Sequence, residues 1–481
     1  MAHAEQNAPD PTDDRRPDGG PSMTATAVAP ESGLWAPRLR AMTVGSVALI
    51  SLVAFEALAV GTAMPTVARS LDGLALYGIA FGGAFAASVI GMVVSGIWCD
   101  ARGPRAPMWH GVAWFVVGLV VAGTAPVMGL LVVGRVVQGF GSGLLSVALY
   151  VIVARAYPEV LHRRIFAAFA AAWVVPSLVG PAVAGLIVEH VGWRWVFLAV
   201  PAVAVPAVLL IHPGLRSFGS TAASRVPAGA LARIAWACGA GGSAALLHIG
   251  GQQRGVTALV LVTLAVAGLL VSAPRLLPAG FLRAARGLPT VIGLRGLASA
   301  AFVGAEVVIP LLLSRERDFS PTAAGLVLTV GALAWSVGSW VQGRVPVPAS
   351  RASVPRAGLI FITVGIATVA LAVQPQVPVA VVVLGWAAAG VGMGLLYPSL
   401  SVLTLELSAP GEQGRNSSSL QLGDSLFAAT VLALTGAVLA AGSAPGRGSY
   451  TVTLVVAAGL ALVGALLAGR VVVGGRTRPG G

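Results

Sequence analysis

Gly134-Arg-Val-Val-Gln-Gly139-Phe-Gly141-Ser-Gly143-Leu-Leu145 recurs 251 residues later as Gly385-Trp-Ala-Ala-Ala-Gly390-Val-Gly392-Met-Gly394-Leu-Leu396. Closely spaced glycines let apolar helices approach backbone to backbone, so the pattern alone marks only tight packing. Its register extends further. The same offset carries Arg164 onto Arg415 and Trp173 onto Asp424, and Pro65 and Pro310 stand at the similar offset of 245. The chain therefore contains one unit twice, running in the same direction. In an apolar chain this implies parallel repeats related by an axis along the membrane normal.

Composition supplies the membrane. Of 481 residues 57% are hydrophobic and 10% charged, with a mean hydropathy of +0.88. Apolar runs of roughly 17 to 25 residues, the length that spans a bilayer as a helix, recur throughout. The runs predict fourteen spans. Six lie between Met42 and Ile211, two shorter ones are Ala230–Ile249 and Val256–Val271, and six lie between Val291 and Val473. The expected organisation is a disordered tail over 1–40, a six-helix bundle over 41–213 and a linker with two inserted helices over 214–288. A second six-helix bundle covers 289–473 and a short tail 474–481. The fold class is thus an all-α integral membrane protein of two parallel six-helix repeats plus two helices.

The net charge of +13 comes entirely from arginine, since the chain has no lysine. Twenty-two of the 30 arginines fall in the tails and the connections on the N-terminal side, against Arg69, Arg194, Arg254, Arg315, Arg317 and Arg447 on the other. The positive-inside rule then predicts that both termini are cytoplasmic. The arginines belong to topology, and no nucleic-acid partner is expected. Cys99 and Cys238 are the only cysteines, too few and too apolar in setting for a disulfide framework or a zinc site. The N-terminal 35 or so residues lack the basic-then-apolar layout of a signal peptide.

Three acids lie inside the apolar spans: Glu56, Glu306 and Asp424. A carboxylate in hydrocarbon costs roughly 2.5–3.5 kcal/mol even on the most lenient insertion scale. Unless it finds a partner, it neutralises itself by taking up a proton. Such a group suits the coupling of transport to protons. The helical neighbours of Glu56, namely Leu52, Val53, Ala59 and Val60, are apolar, so its partner must come from another helix. Arg135 will not deprotonate and needs a carboxylate or carbonyl. Trp386 occupies its place in the second repeat, so the fold does not require a charge there. Glu306 and Asp424 are candidate cavity acids, the latter in the polar opening Asn416-Ser-Ser-Ser-Leu-Gln421-Leu-Gly-Asp424, a stretch expected to line a wet cavity. His248, near the outer end of the first inserted helix, reads as an interfacial residue.

Four local patterns resemble those of the major facilitator superfamily, specifically its fourteen-span drug:proton antiporters. Gly96-Ile-Trp-Cys-Asp100-Ala-Arg102-Gly103-Pro-Arg105 resembles the cytoplasmic loop motif Gly-x-x-x-Asp-Arg-x-Gly-Arg-(Arg/Lys), with Ala101 and Pro104 in place of two arginines. The resemblance implies that Gly96, Asp100, Gly103 and Arg105 clamp the two halves and take part in gating. Arg135 with Gln138 and Gly139 resembles Arg-x-x-Gln-Gly, which implies a part in proton coupling. Pro176-Ser-Leu-Val-Gly180-Pro181-Ala-Val-Ala-Gly185 resembles the antiporter motif Gly-x-x-x-Gly-Pro-x-x-Gly-Gly, a bent and tightly packed helix that accompanies export. Glu56-Ala-Leu-Ala-Val60-Gly-Thr-Ala-Met-Pro65 resembles the first-helix signature Asp-x-Thr-x-Val-x-x-Ala-Leu-Pro, with Glu for Asp. The Gly192-Trp-Arg-Trp-Val-Phe197 segment, which comes after the Pro176–Gly185 stretch, is similar to the family's entry to helix six.

The resemblance implies alternating access, a central site for a small organic cargo, the proton as coupling ion with no further cofactor, and a monomer in the bacterial plasma membrane. Nothing in the chain points to an enzyme: no nucleophile set, phosphate loop or metal cluster appears. An uptake symporter for a metabolite would need more convergent polar groups in the cavity-lining helices. A non-transporting sensor has only the long tail in its favour.

Overall fold

The computed structural model describes residues 33–216, 228–251, 253, 255–344, 351–440 and 446–472. The tail expected over 1–40 and the one over 474–481 lie largely outside these residues. Helix α1 (Pro37–Ser70) nevertheless begins inside the first of them, because Pro at the first helical position has no N–H to leave unpaired and a φ already suited to the helix.

The first half continues with α2 (Tyr77–Arg102), α3 (Arg105–Thr124), α4 (Met128–Ala156), α5 (Glu159–Ala171), α6 (Val174–His190) and α7 (Arg194–Arg216). The inserted pair is α8 (Ala230–Gly250) and α9 (Gly255–Leu276). The second half holds α10 (Leu288–Glu316), α11 (Pro321–Gln342), α12 (Ser353–Leu371), α13 (Val379–Glu406), α14 (Gln413–Ala440) and α15 (Arg447–Leu467). Among the described residues fourteen helical spans are long and apolar enough to cross a membrane, α5 and α6 together making one. Large apolar side chains such as Leu259 and Leu270 stand on their outer faces, as contact with lipid requires.

The packing repeats as the sequence does. In the first half α4 lies against α2 and α3, and α1 against α6 and α7; in the second, α13 lies against α11 and α12, and α10 against α14 and α15. The repeated glycines sit at these crossings. A Cβ on Gly139 or Gly143 would collide with the carbonyl oxygen of Ala84 or Ser88 on α2, and one on Gly390 or Gly394 with that of Gly331 or Trp335 on α11. The two halves meet where α2 packs on α14 and α5 on α11. Tyr150 and Ser401, equivalent positions one repeat apart, face each other across this seam with hydroxyls 3.5 Å apart, which places the pseudo-twofold axis between α4 and α13.

The span α5–α6 departs from the expectation of one continuous helix bent at Gly180-Pro181. The chain breaks at Ala172–Trp173, ahead of Pro176. Proline has no N–H for the carbonyl four residues back; that carbonyl, of Ala172, instead accepts a 3.0 Å bond from Ser51 Oγ on α1. Pro181 lies inside an unbroken α6. Gly180 packs against Phe55 and Leu58, whereas a Cβ on Gly185 would meet nothing within 4 Å. At 3.7 Å a Cβ on Gly180 would make only ordinary contact, so the tight packing expected along the motif is found at neither of these glycines.

Candidate functional site

Between the halves lies a cavity of about 950 Å³, at the upper end of the range for small-molecule sites. Its wall is aromatic and aliphatic, with Phe81, Phe166, Trp173, Phe302, Trp335 and Tyr397 drawn from both halves. Phe81 belongs to the first turns of α2 and Gly436 to the last turns of α14, and both line it. The cavity thus reaches toward the N-terminal end of α2. The opposite end of α2 is held shut.

That closure is made by the loop motif. Asp100 accepts bonds from the backbone N–H of Gly414 at 2.7 Å and of Arg415 at 2.8 Å. These amides open α14, so the carboxylate meets both unpaired donors and the positive end of the helix dipole. Gly96 and Gly414 cross back to back, and a Cβ on either would strike the other's carbonyl oxygen. Gly103 ends α2 at φ +83°, a left-handed turn that a side chain would strain. Arg105 starts α3 exposed and has no hydrogen-bond or ion-pair partner among the described residues. A different arginine supports the loop: Arg155, in the last turn of α4, donates to the carbonyl of Cys99 at 3.2 Å. A spacing motif misses it, because it lies 50 residues from the motif along the chain and is brought there only by the packing of α4 on α2.

Glu56 on α1 finds its partner on α4. The Arg135 Nη1 donates to the Glu56 carboxylate and to the Gln138 side-chain oxygen on the next turn. Both ionic side chains are at least nine-tenths buried. Among the described residues the Nε of Arg135 has no partner, so the guanidinium is held mainly at one end. Val53 and Leu58, on either side of Glu56 along α1, line the cavity, but Glu56 and Arg135 do not. The pair sits one layer behind the wall.

The second-half acids occupy the wall itself. Asp424 on α14 accepts from Arg295 Nε at 3.2 Å and from the Tyr397 hydroxyl at 2.7 Å. The Arg295 guanidinium lies 3.5 Å above the Tyr397 ring and donates through Nη1 to Ser401 Oγ at 3.2 Å. All four residues line the cavity. Arg295 and Tyr397 escape sequence reasoning as site residues, since neither belongs to a motif; the one available signal is that Arg295 is a charge inside a span. The serines before Asp424 do not line the cavity. Ser417, Ser418 and Ser419 are buried, with Ser418 against Gly96 and Ser419 donating to the carbonyl of Leu276 on α9 at 3.1 Å. Glu306 on α10 is half-buried on the cavity wall and has no hydrogen-bond or ion-pair partner among the described residues. His248, expected at the interface, also lines the cavity.

Comparisons with known proteins agree with this architecture. The description "Major Facilitator Superfamily" belongs to the family profile that matches residues 46–345. A probable multidrug-efflux transporter of Mycobacterium tuberculosis is 28% identical over 460 residues, covering 90% of this chain and 96% of its own length. The multidrug efflux pump SdrM of Staphylococcus aureus is 23% identical over 372 residues, covering 75% and 81%. Among solved structures, the human organic anion transporter MFSD10 superposes with a TM-score of 0.64 at 15% identity, over 90% of this chain and 99% of that one. Two parallel bundles around one cavity, fourteen spans and a profile match over more than half the sequence together make this chain a multi-pass transporter of the Major Facilitator Superfamily.

Proposed function

We propose that the protein is a proton-coupled exporter of small organic molecules, working as an antiporter in the bacterial plasma membrane. The observation that carries the reading is the buried Glu56–Arg135 pair, set behind the wall of a large apolar cavity. An ionised pair at that depth is stable only while both charges remain. Protonation of Glu56 removes one charge and leaves Arg135 with Gln138 alone, so a single proton changes how α1 is held to α4. Because neither residue lines the cavity in this conformation, proton exchange belongs to another stage of the cycle, in which Val53 and Leu58 move aside. The arginine distribution supports a cytoplasmic position for the Asp100 contact, and on that reading this conformation faces outward. Cargo is bound by apolar and aromatic surface, with Glu306 and the Arg295–Asp424 pair as its polar contacts, and the efflux relatives support the outward direction.

Purified protein in liposomes tests this. With a pH difference as the sole driving force, ethidium should move opposite to protons, and collapsing the gradient with a protonophore should stop its accumulation. Movement of ethidium in the same direction as protons would instead make the protein a symporter.

A further inference from the structure

Helices α8 and α9 have no counterpart in either repeat, yet α8 is part of the cavity wall. It lies close along α2: a Cβ on Gly241 would come within 2.7 Å of the carbonyl oxygen of Ala86, and one on Gly82 within 3.2 Å of that of Ala245. It also touches α14 across the seam between the halves. Ala244, Leu247, His248 and Gly251 all line the cavity. Their spacing of three, four and seven residues makes them one stripe of the helix, so α8 presents a continuous face to the cavity. Helices α2 and α14 meet directly here, as α11 meets α5 and α6 at the pseudo-symmetric seam; what α8 adds is a further helix lying against both α2 and α14.

The chemistry of that stripe is aromatic at one point. The His248 ring lies 6.1 Å from the ring of Phe81, and Phe302 and Trp335 border the same space from the other half. We infer that α8 is a third wall of the cargo site and that His248 is a cargo-contacting residue favouring compounds with an aromatic ring. The inference rests on the central cavity being the cargo site, and is independent of the direction of transport and of its coupling to protons.

Equilibrium binding to the purified protein tests it without a proton gradient, so that a failure of proton antiport and a failure of this inference remain distinguishable. Two organic monocations serve as probes, ethidium with aromatic rings and tetrapentylammonium without. His248→Ala should weaken ethidium roughly 3- to 10-fold, the size of one lost ring contact, and leave tetrapentylammonium unchanged. His248→Phe should keep ethidium binding near wild type. Leu270→Ala, on an outer face of α9, should alter neither. Ethidium binding unchanged by His248→Ala, or both probes weakened equally, would overturn the inference and leave α8 a scaffold. A second readout does not depend on affinity. In a background with Cys99 and Cys238 replaced by serine, a maleimide should label the thiol introduced by His248→Cys more slowly when ethidium is bound. Equal labelling rates with and without ethidium would again contradict the assignment.

Discussion

The first and fourth helices of each half cross at equivalent places with unlike chemistry. In the first half Glu56 on α1 meets Arg135 on α4. In the second, Trp386 stands at the position of Arg135, and Phe302 on α10 stacks on it with ring centroids 4.3 Å apart. A stacked aromatic pair holds such a crossing without taking charge out of water, whereas an ion pair buried there loses several kcal/mol of hydration. The fold therefore needs a contact at this crossing but not a charge. On our reading the charges add a site that can gain and lose a proton. The second half has an ion pair too, but it is displaced: Arg295 and Asp424 join α10 to α14 on the cavity wall.

The comparison breaks most sharply at Arg135. Arg135→Met should destabilise the protein by about 3–5 kcal/mol, because Glu56 is left as an uncompensated buried charge. Adding Glu56→Gln should restore most of that loss, and thermal unfolding in detergent measures both. If the single variant unfolds like wild type, the pair is not buried as a pair. Asp100→Asn should come next, costing roughly 1–3 kcal/mol as two charge-assisted bonds to α14 become neutral ones. Its mark in transport is one common slowing factor for every cargo; a change in the ranking of cargoes would place Asp100 in selection instead.

On the cavity side, Glu306→Gln should weaken cationic cargo relative to neutral cargo by roughly 1–3 kcal/mol, the worth of a charge-assisted hydrogen bond. Resistance profiles of cells carrying the variant decide it, since an equal loss for both classes would move Glu306 from cargo binding to coupling or folding. Trp386→Phe should have the smallest effect, about 1 kcal/mol, for the lost bond from its indole N–H to the carbonyl of Leu328. Transport should stay fully proton-driven in this variant. A loss of coupling there would show that the second-half crossing is more than packing.

The sequence made the architecture legible because its signals are periodic. Apolar run length set the spans, and the offset between the glycine segments set the parallel halves. The structure extends that offset to a direct meeting of Tyr150 with Ser401. Glu56, Arg135 and Asp100 were legible as singular charges, each with a motif around it. What stayed hidden depends on packing between distant segments. The position of Arg155 beneath the loop, the stacking of Arg295 on Tyr397 and the turning of the α8 stripe toward the cavity are carried by no repeat in the sequence. The serines before Asp424 misled for the same reason: Ser418 lies against Gly96 and Ser419 bonds to the carbonyl of Leu276, so these small polar side chains serve helix crossings, which spacing does not tell from a cavity. Pro176 determines where the fifth span breaks because its missing N–H frees the carbonyl of Ala172 for Ser51.

On our reading Glu56 couples protons to cargo through Arg135, and two assays of Glu56→Gln on the same liposomes test this. Counterflow exchanges labelled for unlabelled cargo with no pH difference, whereas accumulation requires the pH difference to do work. Glu56→Gln should retain counterflow and lose accumulation. Accumulation of cargo against its gradient by Glu56→Gln, driven by a pH difference alone, would contradict it.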